Sequence, residues 1–95
     1  VIGRLEARND DAWLLVQQAD RLRHDGDDAL ADRDIAAGLA KYASADSMFA
    51  RAQQLDKDWP EPTIQRSSVA WRRARDRSVE RLAHNAVQHS QRSVG

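Results

Sequence analysis

Few side chains in this 95-residue chain are spaced for chemistry. Five carboxylates, Asp25, Asp27, Asp28, Asp32 and Asp34, crowd one short stretch and invite a calcium reading. A calcium loop of about 12 residues needs oxygen ligands at alternate positions, Gly at the sixth and a bidentate Glu at the last. Here Gly26 stands second and no Glu follows, so a solvated helix face or turn accounts for the acids better. His84 and His89 are five apart, which swings them apart around a helix, whereas a zinc pair wants a spacing of four. His24 precedes Asp25-Gly26, a possible helix end where a partly charged imidazole suits the dipole. Cysteine is absent, which removes disulfides, thiolate zinc sites and thiol nucleophiles together. With no Gly-rich phosphate loop, nucleophile elbow or metalloprotease motif either, we expect no enzyme, no catalytic residue, no metal and no cofactor.

Arginine is the strongest candidate for a ligand contact. On a continuous helix Arg66, Arg73, Arg77 and Arg81 would form one row, nearly opposite Ile64, Trp71 and Leu82. Such a row could track phosphates and give salt-dependent, sequence-blind binding of nucleic acid or another polyanion. Asp76 and Glu80 are placed to neutralise part of it through i,i+3 and i,i+4 pairs. No aromatic interleaves on that side to stack bases, and a solvated outer face is the simpler reading.

The charge balance repeats the point at larger scale. Eight basic against twelve acidic residues up to Pro60 give −4, and seven against three from Glu61 onward give +4. The excess of Arg over Lys and of Asp over Glu suggests a bacterial protein. No apolar run approaches the roughly 20 residues of a bilayer crossing, so we expect a soluble piece without membrane contact; the compartment is left open by the sequence, with the cytoplasm favoured. The opening Val-Ile-Gly and the terminal Gly95 suggest a piece of a longer protein.

The elements that must position these residues are helical. Asn9, Asp10 and Asp11 are N-cap candidates, and a first helix over 11–31 carries Ala12, Leu15, Val16, Ala19 and Leu22 inward. Gly26 could end it early, but a single interior Gly costs about 1 kcal/mol, and the long helix is favoured over a turn at Asp25 to Asp28. A second helix over 34–55 has the clearest period in the chain, Ile35, Leu39, Tyr42, Ala45, Phe49 and Ala52. Pro60 and Pro62 then encode a corner. Beyond it a helix over 61–75 should bury Ile64, Ser67, Ser68, Trp71 and Ala74, and one over 78–90 should continue with Val79, Leu82, Ala83, Ala86 and Val87. The two could equally be one helix running to about Gln88. Trp59 reads as a wedge at the corner, Trp71 as core, and Trp13 as core or as a groove anchor. No strand pattern is present.

Tyr42, Ala45, Phe49, Ala52, Leu55, Asp56 and the Trp59-Pro60-Glu61-Pro62 corner together resemble the second helix and exit turn of a tetratricopeptide repeat. Ile64, Ser68 and Trp71 look like the large, small and aromatic positions of the following first helix, and Trp13 and Val16 like large residues of the preceding one. The pattern departs from the family at Lys57, where a proline is usual, and at Arg33, where a glycine is usual. The resemblance implies an all-α fold of antiparallel helical hairpins, a short α-solenoid or bundle. It implies a protein or peptide partner held in a groove lined by first helices, for which Trp13, Gln17, Asp20 and Arg66 are the candidates. The expected role is a protein-interaction or scaffolding module, with the polyanion row as alternative and a structural spacer or homo-oligomer contact as a third reading.

Overall fold

The computed structural model describes residues 8–94, with side chains placed as far as Leu82 except that of Glu80. Three helices follow one another: α1 (Asp10–Ala31), α2 (Ile35–Leu55) and α3 (Glu61–Val94). Among the described residues there is no strand, so the fold is all-α. No helix is long and apolar enough to cross a membrane.

The helix starts are set by short polar side chains. Asn9 Oδ1 accepts the Ala12 amide at 3.0 Å and Asp34 Oδ1 accepts the Ala37 amide at 3.1 Å. Each satisfies one donor that the first helical turn leaves without an internal partner. α1 runs through Gly26 without a break and ends in a paired cap. Arg33 N–H donates to the Leu30 carbonyl and Asp34 N–H to that of Ala29, both at 2.8 Å, with Arg33 at φ 65°. This is a Schellman turn in which arginine occupies the left-handed position.

Glycine matters at the place where α1 crosses α2. A Cβ on Gly26 would stand 2.6 Å from Tyr42 Cε1, and a Cβ on Gly38 would stand 3.2 Å from the Gly26 carbonyl. The two backbones therefore nest at the closed end of the hairpin. The other end is fastened by Asp56, whose buried Oδ2 accepts the amides of Arg8 at 2.8 Å and Asn9 at 3.2 Å.

α2 is the central element, packed on α1 and on α3. Its Tyr42, Ala45, Phe49 and Ala52 are fully buried with Ala12, Val16, Ala19 and Val69, and Trp13, Leu15, Leu22, Leu30 and Met48 pack around them. Trp59, 2% exposed, wedges the corner between α2 and α3. Pro62 is buried in the first turn of α3, where a missing N–H removes no helical bond.

α3 decides one alternative that the sequence left open and corrects one reading. It is one unbroken helix of 34 residues rather than two. It also packs through Pro62, Val69 and Asp76, seven residues apart, while Ile64, Ser67, Trp71, Ala74, Val79 and Leu82 are exposed and Ser68 is half-buried. At 100° per residue Trp71 lies about 160° around α3 from Val69. Rolling α3 to bury Trp71 would pull Arg72 Nε from Asp27, 3.2 Å away, and Arg66 Nε from Asp46, 3.0 Å away. Those ion pairs, with Pro62 and Val69, fix the roll against the simple count of apolar side chains. Ala83, Ala86 and Val87 lie outside the described side chains.

Candidate functional site

Three surfaces of the molecule carry the residues singled out in the sequence. The first is the side of α1 bearing Trp13, Gln17 and Asp20, which are all half-buried. Spacings of four and three put them in one line along α1. Gln17 Nε2 is buried with no hydrogen-bond partner among the described residues. Asp20 accepts from Arg23 Nε at 3.2 Å and lies 3.4 Å from His24 Nε2. Since α1 continues to Ala31, His24 stands inside the helix and not at its end, so the expected dipole role does not apply.

The line ends in a polar cluster that joins all three helices. Asp27 receives Arg23 Nη1 at 3.0 Å, Arg72 Nε at 3.2 Å and the Tyr42 hydroxyl. Burial, and then this bond to a carboxylate, pushes the Tyr42 phenol from 10.0 up to about 12. Beside it Asp76, 4% exposed, accepts Arg75 Nε at 2.8 Å through Oδ1, and its Oδ2 has no partner among the described residues. That hydrogen bond is the largest influence holding the Arg75 guanidinium above its usual range. The five clustered aspartates are thus divided. Asp27 turns inward, Asp32 and Asp34 cap helices, and Asp25 and Asp28 are exposed. Among the described residues no group of three His, Cys, Asp or Glu could hold a metal ion. His84 and His89 lie outside the described side chains.

Arg66 belongs to a second surface. It is held by α2, with Nε on Asp46 Oδ1 at 3.0 Å and Nη1 on Gln53 Oε1 at 2.9 Å. The structure therefore groups Trp13, Gln17 and Asp20 but does not bring Arg66 to them. Arg66 and Arg73 line an open groove of about 350 Å³ between α2 and α3, together with Asp46, Gln53, Thr63, Ser67 and Ala70. Arg77 and Arg81 continue the row into solvent. The expected outer, wholly solvated row is thus half correct, because its first two members border the packed face. Asp76 neutralises Arg75 and not the row.

The third surface is the exposed stripe of α3. Ile64 is 55%, Trp71 64% and Leu82 69% exposed, and Val79 lies near them. Arg75 sits over the Trp71 ring, 5.1 Å from its centroid, a cation–π arrangement that leaves the rest of the indole open. Trp71 is accordingly not core, whereas Trp59 is the wedge that the corner calls for.

Sequence reasoning missed Arg72 and the inward, buried roles of Asp27 and Asp76. Asp20, Arg23 and Asp27 are visible as helical pairs once α1 is known to pass through Gly26, but Arg72 is 45 residues from its partner and no local spacing reveals it. Comparison with known proteins finds no family model, no curated protein and no solved structure that matches this chain.

Proposed function

We propose that this chain is a protein-interaction or scaffolding module of irregular tetratricopeptide-like hairpins. Its docking surface on this reading is the Ile64, Trp71, Val79 and Leu82 stripe. The observation that carries the reading is the exposure of these side chains on the side of α3 turned away from α2. Covering their exposed parts would contribute on the order of 1 kcal/mol each before the costs of association. Arg75 is exposed beside Trp71 on the stripe, and no exposed carboxylate accompanies it among the placed side chains from Ile64 to Leu82. The fitting occupant is an amphipathic helix with an apolar seam and acidic flanks. Buried Tyr42, Ala45, Phe49 and Ala52 support the repeat-like reading, since they occupy the positions at which such hairpins nest. In an array of that kind a helix would cover the side of α3 that bears Trp71. Trp13, Gln17 and Asp20 offer a shallower secondary contact.

The test is titration with a synthetic helix of Leu seam and Glu flanks, followed by tryptophan emission. Trp59 is buried and Trp13 half-buried, so Trp71, 64% exposed, should dominate a blue shift on binding. The Trp71→Glu variant should keep its helicity and lose the binding. Binding that survives Trp71→Glu, or that is as tight for a Lys-flanked helix, would sink the reading. Self-association that rises with concentration and vanishes in the same variant would make the occupant a second copy.

A polyanion-binding reading keeps one supporting observation: Arg73, Arg77 and Arg81 have no ion-pair partner among the described residues. Duplex DNA titrated at low and at physiological salt separates the two. Steeply salt-dependent binding lost in an Arg77→Glu, Arg81→Glu double variant would favour nucleic acid.

A further inference from the structure

The α2–α3 groove holds an arginine pair prepared in an unequal way. Arg66 is tied to α2, with Nε on Asp46 and Nη1 on Gln53, so its Nη2 keeps its donors. Gln53 is oriented in turn, because its Nε2 donates to Thr63 Oγ1 at 2.9 Å. Arg73 lies two helical turns along the same side of α3, half-buried and without a hydrogen-bond or ion-pair partner among the described residues. Both arginines line the groove of about 350 Å³.

We infer that this groove receives a single carboxylate on a peptide side chain, bound by Arg73 with Arg66 Nη2. The free guanidinium supplies the charge, and planar N–H pairs match a carboxylate in a bidentate geometry. Asp46 selects against more heavily charged ligands. It lines the same groove and has one carboxylate oxygen with no bond to Arg66, so a dianion or a run of phosphates meets repulsion there. A peptide N–H, by contrast, can donate to that oxygen or to Ser67 Oγ, whose own proton is used on the Thr63 carbonyl at 3.3 Å. The ligand chemistry is therefore one negative charge beside neutral amide donors. The proposal rests on the interaction reading only in taking the occupant to be a peptide. Arg66 and Arg73 lie on the opposite side of α3 from Trp71, so failure at one surface does not imply failure at the other.

The experiment is an NMR titration of the whole chain that follows the arginine Nε–Hε signals. The probes are acetyl-Ala-Glu-Ala-amide, its Gln counterpart and inorganic phosphate, at matched ionic strength. The Glu peptide should shift Arg73 and Arg66 saturably and leave Arg77 and Arg81 in place. The Gln peptide, and the Glu peptide with the Arg73→Gln variant, should each bind about tenfold more weakly or worse. Arg73 has no partner to lose, so that variant should fold as the parent does. Asp46→Asn should raise affinity for phosphate severalfold. Equal shifts with the Glu and Gln peptides, equal shifts at Arg77 and Arg81, or tighter binding of phosphate than of the Glu peptide to the unmodified chain would each overturn the proposal. The Trp71→Glu variant should lose helix docking yet keep the Arg73 response, which tells the two readings apart.

Discussion

Arg33 holds a φ of 65°, where a Cβ crowds the following carbonyl and only glycine is at ease. The α1–α2 turn tolerates it because both of its capping bonds are made, Arg33 N–H to Leu30 and Asp34 N–H to Ala29. Replacing Arg33 by Gly should relieve about 1 kcal/mol, against a smaller loss from greater freedom in the unfolded chain. Thermal unfolding should accordingly move upward by a few degrees. Tyr42 offers a second residue-scale test, since it is the chain's sole tyrosine. Its phenol is raised, so the neutral form stabilises the fold fully below about 10 and that contribution is lost as pH rises through about 12. Absorbance near 295 nm should show no phenolate step at pH 10 in the folded protein and a normal one in urea. The caps at Asn9 and Asp34 are legible from sequence because capping is local chemistry. The left-handed arginine is not, since glycine is the usual signal for that geometry.

At the scale of elements, the α1–α2 crossing depends on how closely two backbones approach. Gly26→Ala gains about 1 kcal/mol of helix propensity but sets a methyl 2.6 Å from a tyrosine ring whose hydroxyl is tied to Asp27. Overpacking of this kind costs about 1–3 kcal/mol, so the net effect should be destabilising by about 1 kcal/mol or more. Gly38→Ala meets Leu30 Cγ at 3.0 Å and the Gly26 carbonyl at 3.2 Å, milder contacts than the one at Gly26, and should cost less. Urea midpoints of the two variants check the order; a Gly26→Ala variant as stable as Gly38→Ala would contradict it. The period of α2 made its buried side readable, because Tyr42, Ala45, Phe49 and Ala52 are all fully buried on one side of it. α3 misled the same method. Its packed side carries a proline and an aspartate while its free side carries Ile64 and Trp71, and partners on other helices decided between them.

For the whole molecule, the uneven charge along the chain is partly resolved internally. Asp27 and Asp46 come from the acidic part and their partners Arg72 and Arg66 from the basic part. The −4 and +4 halves are thus pulled together across the α2 interfaces, and only Arg73, Arg77 and Arg81 of the arginine row stay available. Composition alone could not separate an internal pairing from an external ligand. Asp56 adds a second long tie, joining its carboxylate to amides 47 and 48 residues earlier. Both ends of the hairpin are therefore closed before α3 is added.

The unbroken course of α3 makes it a screw as well as a rod. Each residue inserted within it advances the far portion by about 1.5 Å and turns it by about 100°. Ile64, Trp71 and Leu82 share one side only because the register between them is uninterrupted. One alanine inserted after Ser78 should swing Leu82 out of phase with Trp71 and weaken docking of the acidic helix. Seven inserted residues, close to two full turns, should restore the alignment with Leu82 displaced along the axis. Binding that follows angular phase in this way would show that both halves of α3 engage one continuous partner.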